Sequence, residues 1–258
     1  MSANVRNAHR KMARRACFQR GSKTSMALAR DSWWAQAGPL STISPELEPA
    51  LRGLPHDPVE LCRVAQGLVM LPNLAAGFGI ADHRQEERSI RSANNMLRQL
   101  LELDGAPVVQ DRSPDQRVMG TCRHFALLSC AFLRYRGIPA RARCGFATYF
   151  MADKYLDHWV TEYLDDRGRW VRIDSEILGF SFVEHPEDLA VGEFLTGGEA
   201  WQFLAESGVN PADFGVDGAP HAWDLIGKVA EACATGDQSV IEQMYQTEDL
   251  TVPAHLIN

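Results

Sequence analysis

Three residues that together could form a cysteine nucleophile site occur in order along the chain: Cys122, His158 and Asp174. The cysteine opens a strongly apolar stretch typical of a buried helix, and the other two lie in successive segments typical of β-strands. A thiolate is the reactive form of cysteine, and both a helix N-terminus and a nearby imidazole favour it. Cys122 would attack a carbonyl carbon, His158 would transfer the proton, and Asp174 would orient the imidazole. The arrangement therefore indicates acyl-transfer chemistry.

Further substrate contacts are predicted around these three residues. The backbone N–H of Cys122 would donate to the acyl oxyanion, and Gln116, in the preceding loop, is a candidate second donor. Trp159 is a candidate wall of the cleft, with core packing as the alternative. Arg143 shares a strand face with Arg141 and is a candidate partner for a substrate carboxylate, with solvation or internal ion pairing as the alternative.

Metal binding is not expected from the sequence. Cys122 and His124 are two positions apart, so on a helix they point to different sides, and no second ligand pair at zinc spacing follows. We predict neither a metal nor a cofactor, because an acid–base relay and oxyanion contacts need none.

The elements that would position these residues follow from local patterns. We predict a helix from Cys122 to about Tyr135, ended by Gly137 in the C-cap role. Three strands are predicted at 140–150, 156–164 and 169–174, the last two antiparallel and joined by a hairpin turn at 165–168.

The flanks of this core are predicted to be mainly helical. Helix starts are expected at Ser44-Pro45 and Asp57-Pro58, since each pairs an N-cap residue with proline at the first helical position. The other predicted elements are a helix at about 82–103, a short extended piece at 107–109, and helices around 186–207 and 221–247. The fold class is therefore α+β, with residues 31–258 forming a single domain.

Four motifs make residues 120–174 similar to the transglutaminase-like superfamily. They are Gly120–Ala126 around the cysteine, Arg136–Arg141, Asp157–Val160 around the histidine, and Trp170–Asp174. The resemblance implies a papain-like core at about 105–180, in which a helix with cysteine at its N-terminus packs on an antiparallel sheet. It also implies that Cys122, His158 and Asp174 are the catalytic triad.

Two flanking stretches, Arg141–Phe146 and Gly198–Trp201, with Pro211–Gly215 beyond, resemble a group of bacterial transglutaminase-like proteins. The resemblance implies acyl-enzyme chemistry on an amide or thioester. It leaves open whether water or an amine takes the acyl group.

The predicted function is a thiol protease-like hydrolase that cleaves a peptide or small-molecule amide through a thioester acyl-enzyme. One alternative is a transglutaminase-type acyltransferase that forms or exchanges amides on a small metabolite. The other is a binding module without catalysis. The expected partner is thus a peptide or a small amide or thioester substrate, and the oligomeric state stays open.

Charge and composition bear on partners and location. Residues 1–30 hold 8 of the 26 Lys+Arg and none of the 33 Asp+Glu, so the remainder carries 18 − 33 = −15. An acidic body argues against nucleic-acid binding by the folded domain. The basic segment is expected to be a disordered tail, with a targeting peptide, a nucleic-acid arm or a true start at Met26 as alternatives. Six unclustered cysteines and no membrane-length apolar run favour a cytoplasmic protein.

Overall fold

The computed structural model describes residues 33–215, and these form an α+β fold, as predicted. The basic segment 1–30 and the predicted helix at 221–247 lie outside the described residues. Four α-helices and six strands are named here in chain order. The helices are α1 (Pro58–Leu68), α2 (Ala93–Leu103), α3 (Cys122–Tyr135) and α4 (Gly197–Ser207). The strands are β1 (Val69–Met70), β2 (Val118–Met119), β3 (Ala140–Ala147), β4 (Leu156–Leu164), β5 (Trp170–Ile173) and β6 (Phe194–Thr196).

The main sheet has the order β5-β4-β3-β6, and all its neighbouring strands are antiparallel. The register places Gly145 opposite His158 and Thr161 opposite Ile173. The predicted hairpin between β4 and β5 is present: Gly168 adopts a left-handed φ of 70°, and its N–H donates to the Asp165 carbonyl at 2.9 Å. This hairpin lets residues far apart in sequence meet at one end of the sheet.

Helix α3 is the buried centre of the molecule. It packs against β4, β3 and α1, and Phe132, Leu128 and Leu133 are fully buried within it. A helix that is apolar on most faces is stable only when surrounded, and α1 and the sheet bury it here. The main core therefore joins helices α1–α3 to the inner face of the sheet.

The predicted long helix at 82–103 is instead two elements, and that prediction was wrong. A 3-10 helix spans Asp82–Ser89 and has no buried residue, whereas α2 begins at Ala93. The break lies at Ser92, whose side chain caps α2 by accepting from the Asn95 N–H at 3.2 Å. The serine hydroxyl takes up a backbone N–H that a continuous helix would bond to its own carbonyl groups, so a new helix starts here.

The two predicted helix starts before α2 are present. Asp57 caps α1 by accepting from the N–H groups of Val59 and Glu60. The segment Pro45–Leu51 forms a 3-10 helix with Pro49 inside it, and a proline there removes a backbone donor that an α-helix would use.

Two further boundaries differ from the prediction. The predicted helix at 186–207 begins only at Gly197, because the buried run Phe194–Thr196 pairs with β3 as an edge strand. The extended piece predicted at 107–109 is a turn, and the short strand lies at Val118–Met119, where it pairs with β1 in parallel.

Within residues 33–215, none of the helices has both the length and the apolar character needed to cross a membrane.

Candidate active site

Cys122 is the first residue of α3, half-buried at the helix N-terminus. Thr121 precedes it in extended conformation as the N-cap, and the Thr121 N–H donates to His124 Nδ1 at 3.0 Å. The backbone N–H groups of a first helical turn have no partner within the helix, and they carry the positive end of its dipole. The sequence therefore places the thiol where negative charge is stabilised.

Gly120 brings this helix start close to β1. A Cβ added at Gly120 would lie 2.7 Å from the His124 side chain and 2.8 Å from Val69. Only glycine allows this approach, so the residue two positions before Cys122 helps to set the position of the helix N-terminus.

His158 on β4 and Asp174 just after β5 are both buried, and a hydrogen bond joins their side chains. Their Nε2 and Oδ2 atoms lie 2.8 Å apart. Burial alone would lower the pKa of His158, but the Asp174 carboxylate and the nearby Cys122 outweigh it and hold that pKa well above its usual value. The imidazole thus lies between a carboxylate and the thiol.

Tyr149 completes the environment of Asp174. Its hydroxyl donates to Asp174 Oδ2 at 2.5 Å, while Asp174 Oδ1 accepts from the Glu176 N–H at 3.0 Å. Burial, with the adjacent Asp174, raises the pKa of Tyr149, so the phenol remains a donor. Both carboxylate oxygens are therefore held in place.

Glu176 is a further acidic residue of the site. One carboxylate oxygen of Glu176, one ring nitrogen of His158 and Cys122 Sγ all lie within 4.8 Å of one another. Burial raises the pKa of Glu176 to about 7; His158 opposes the shift and Asp174 adds to it. These three side chains are the residues here that could hold a metal ion.

Aromatic rings continue from the imidazole toward solvent. Phe150 packs edge-on against His158 with ring centroids 5.0 Å apart, and Phe182 packs against Phe150 at 5.3 Å. Phe180 and Phe182 are 59% and 49% exposed. The site therefore adjoins an accessible apolar surface.

Two of the three predicted substrate-contact residues make other interactions in the structure. Gln116 forms a capping box with Ser113, with its Oε1 accepting from the Ser113 N–H at 3.1 Å. Trp159 follows His158 on β4, so strand alternation directs its ring to the opposite face of the sheet. Arg143 lies 3.7 Å from Glu162. Gln116 and Arg143 thus make other contacts. The face that carries Trp159 is the one on which Thr161 donates to the Ala126 carbonyl of α3 at 3.1 Å, and the cleft-wall role of Trp159 stays a prediction.

Arg143 belongs to an ion cluster around the buried Glu162. Arg141 and Arg172 approach the two Glu162 oxygens at 2.7 and 2.6 Å, and Arg172 also binds Glu199 on α4 at 2.9 Å. Burial would raise the pKa of Glu162, but the three arginines hold it at about 2. Arg141 and Arg143 are thus ion-paired inside the protein, which is the alternative to binding a substrate carboxylate.

Sequence reasoning did not identify Tyr149, Phe150 or Glu176 as part of the site. The first two lie in a loop just after β3, which ends at Ala147 and not at 150 as predicted. Glu176 carried one signal: an acidic residue two positions after Asp174, followed at once by the apolar Ile177 and Leu178. A carboxylate in such surroundings is unusual unless it is paired or functional.

Comparison with known proteins agrees with the predicted resemblance. Residues 80–175 match the family model of the Transglutaminase-like superfamily. This range contains Cys122, His158 and Asp174, and the match confirms that the core is transglutaminase-like. No curated protein matches the chain.

One solved structure that resembles the chain is described as a "putative cysteine protease" from Cytophaga hutchinsonii. The two are 19% identical, with a TM-score of 0.22. The match covers 68% of this chain and 53% of the other, so the chain spans about half the length of that protein.

Proposed function

From this transglutaminase-like core, we propose that the protein is a cysteine-dependent acyl-transfer enzyme that hydrolyses an amide bond of a peptide or small molecule. The family match supports a cysteine-dependent enzyme in general. The observation that carries the specific proposal is the position of His158. Its Nε2 lies 2.8 Å from Asp174 Oδ2, and a ring nitrogen of His158 lies within 4.8 Å of Cys122 Sγ.

Acylation follows from this geometry. Because Nε2 is held by Asp174, Nδ1 is the nitrogen left to accept the Cys122 proton. The thiolate attacks the amide carbon and forms an S–C bond, and the imidazolium returns its proton to the leaving amine as the C–N bond breaks. The product of this half-reaction is a thioester on Cys122 and a free amine.

Deacylation reuses the same base. His158 accepts a proton from water as the water oxygen attacks the thioester carbonyl, and the thiolate leaves. The released acid has gained the water oxygen, and Cys122 regains its proton from the imidazolium. An amine replacing water would re-form an amide, which is the acyltransferase alternative.

The backbone N–H of Cys122 is the proposed oxyanion donor. It lies at the start of α3, where the N–H groups are not used by the helix. A donor fixed before the reaction costs no reorganisation as charge develops on the carbonyl oxygen. Gln116 has no part in this proposal, since its carboxamide is used in its capping box.

The aromatic rings beside His158 support a substrate with an apolar group near the scissile bond. Phe150 contacts the imidazole, and Phe180 and Phe182 extend that surface into solvent. Burying an apolar substrate group there gains about 25 cal/mol per Å² of area removed from water.

Covalent trapping tests this function without knowledge of the natural substrate. We expect p-nitrophenyl acetate to acetylate Cys122, as located by mass spectrometry, and the adduct to decay with release of acetate. The Cys122→Ala variant should lose this adduct, and His158→Ala should form it at least about a hundredfold more slowly, because general base catalysis contributes about 10²–10⁴-fold.

Cys144 provides the matched control, since it is also half-buried but lies on β3. The Cys144→Ala variant should acetylate at the wild-type rate. Equal adduct formation on Cys144 and Cys122 would contradict the proposal and favour a binding module. Capture of the acetyl group by an added amine in preference to water would favour the acyltransferase.

A further inference from the structure

We propose that Cys122, His158 and Glu176 form a binding site for Zn²⁺, and that zinc bound there keeps the enzyme inactive. In the sequence, only Cys122 with His124 suggested a metal site, and helix geometry speaks against that pair. The fold instead groups Cys122 with residues that follow it by 36 and 54 positions. The binding site rests on geometry alone, whereas the inhibitory consequence rests on the proposed function.

The three donor atoms lie close enough together for one ion to draw them into its coordination shell. Cys122 Sγ, a ring nitrogen of His158 and a carboxylate oxygen of Glu176 lie within 4.8 Å of one another. Zinc binds cysteine sulfur at about 2.3 Å and histidine nitrogen or carboxylate oxygen at about 2.0–2.2 Å, so a small closing movement suffices. Three protein ligands leave the fourth tetrahedral position open to water.

The surroundings of His158 match those of a zinc ligand. A ligating histidine characteristically donates its second ring N–H to a carboxylate, which fixes the ring and increases its basicity. Asp174 accepts from Nε2 at 2.8 Å and is itself held by the Tyr149 hydroxyl. The nitrogen left to bind an ion is thus already oriented.

Glu176 supplies a second, independent reason to place a cation here. Its Oε2 is shielded from solvent and has no hydrogen-bond partner among residues 33–215. Leaving a buried carboxylate oxygen unsatisfied is costly, and a cation offsets that cost. A mixed sulfur, nitrogen and oxygen set favours Zn²⁺ over Ca²⁺ or Mg²⁺, which take oxygen ligands.

Binding would block the proposed chemistry directly. The ion would bond to the sulfur that attacks the substrate and to the nitrogen that accepts its proton. The thiol and carboxyl protons are released to solvent as Zn–S and Zn–O bonds form, and no electron is transferred. Removal of zinc would restore the thiol and the free imidazole nitrogen.

Zinc binding can be measured without any substrate. We would titrate the metal-free full-length protein with Zn²⁺ in competition with a chromophoric chelator, and record the spectrum with Co²⁺. We expect one high-affinity site, a sulfur-to-cobalt charge-transfer band that Cys122→Ser abolishes, and no competition by Ca²⁺ or Mg²⁺.

Glu176→Gln tests the new ligand with little change of shape. We expect its zinc affinity to fall by at least about tenfold, since even residues that only support ligands contribute about 10–100-fold. The matched control is Glu102→Gln, an exposed acid on α2, which should bind as wild type. Unchanged affinity in Glu176→Gln, together with wild-type thermal stability, would overturn the assignment of Glu176.

Acetylation of Cys122 by p-nitrophenyl acetate then separates the two proposals. Both proposals are supported if the metal-free protein is acetylated rapidly, if zinc suppresses this acetylation, and if the suppression is weaker in Glu176→Gln. If zinc binds but the metal-free protein is not acetylated, the metal-site proposal stands and the enzyme proposal is overturned. Acetylation unaffected by saturating zinc, or acetylation that requires zinc, would overturn the inhibitory role.

Discussion

At the scale of single residues, His158 links the sheet to the helix that carries the thiol. It is buried and hydrogen-bonded to Asp174 at 2.8 Å, and one of its ring nitrogens lies within 4.8 Å of Cys122 Sγ. An imidazole held from one side presents its other nitrogen in a fixed direction, which a proton relay needs. Asp174 is in turn held by the Tyr149 hydroxyl, so the hydrogen-bonded group includes one residue beyond the three that were predicted.

Tyr149→Phe should lower kcat by about tenfold while KM stays nearly constant. The change removes one charge-assisted hydrogen bond to Asp174, worth about 1.5 kcal/mol, without removing the ring. Steady-state kinetics of ester hydrolysis would separate the two constants. Tyr135→Phe, at an exposed position on α3, is the control. A rise in KM with unchanged kcat would assign Tyr149 to substrate binding instead.

At the scale of elements, strand β3 holds the site together because it pairs with both β4 and β6. Gly145 pairs with His158 on one side and Thr196 on the other. A Cβ at Gly145 would lie 2.1 Å from the Leu195 carbonyl oxygen and 2.7 Å from the Phe194 ring. The first contact is with backbone, so the strands themselves would have to move.

Gly145→Ala should therefore destabilise the protein by about 2–3 kcal/mol, the cost expected for overpacking in a core. Chemical denaturation followed by circular dichroism would measure the loss. Gly67→Ala in α1 is the opposite control, since nothing lies within 4 Å of its added Cβ. That variant should gain about 0.5–1 kcal/mol by replacing glycine within a helix. Equal stabilities of the two variants would show that the β3–β6 approach is not tight.

At the scale of the whole molecule, the Glu162 cluster connects three strands to α4. Glu162 lies on β4 and is 3% exposed, Arg141 is on β3, and Arg172 on β5 reaches Glu199 of α4. A buried carboxylate is tolerated because the cations surround it. Arg141 also lies over the Trp170 ring at 4.1 Å, which adds a cation–π contact.

Glu162 should make stability depend on pH in the acid range. Its folded pKa of about 2 is below the ordinary glutamate value of 4.5, so the unfolded chain binds the proton more readily. The contribution is thus fully present above pH 4.5 and is lost as pH falls toward 2. Glu162→Gln should cost about 3 kcal/mol at pH 7, since three arginines lose their carboxylate. It should also flatten this acid dependence.

Thermal unfolding of the wild type and of Glu162→Gln between pH 7 and pH 2.5 would measure this pH dependence. Glu48→Gln, at an exposed site in the 3-10 helix Pro45–Leu51, controls for loss of one charge. Parallel pH profiles of wild type and Glu162→Gln would contradict the role of Glu162.

The sequence by itself determined the local order of the core. A cysteine at a helix start, the Asp165–Gly168 turn and the two strands that it joins follow from caps, turn residues and periodicity, which act within a few positions. The same rules failed at 82–103 and 186–196, where Ser92 caps a separate helix and the run Phe194–Thr196 is buried as an edge strand. In those places a cap or a distant partner outweighed the periodic pattern.

Only the tertiary structure decided which side chains share the site. Tyr149 reaches Asp174 across 25 positions, and Glu176 approaches Cys122 across 54, through loops that no local pattern specifies. Arg143 lies near Glu162, because a buried carboxylate must be paired with cations. Loop paths and the burial of charge depend on contacts among distant segments, and these arise only once helix α3 packs against the sheet.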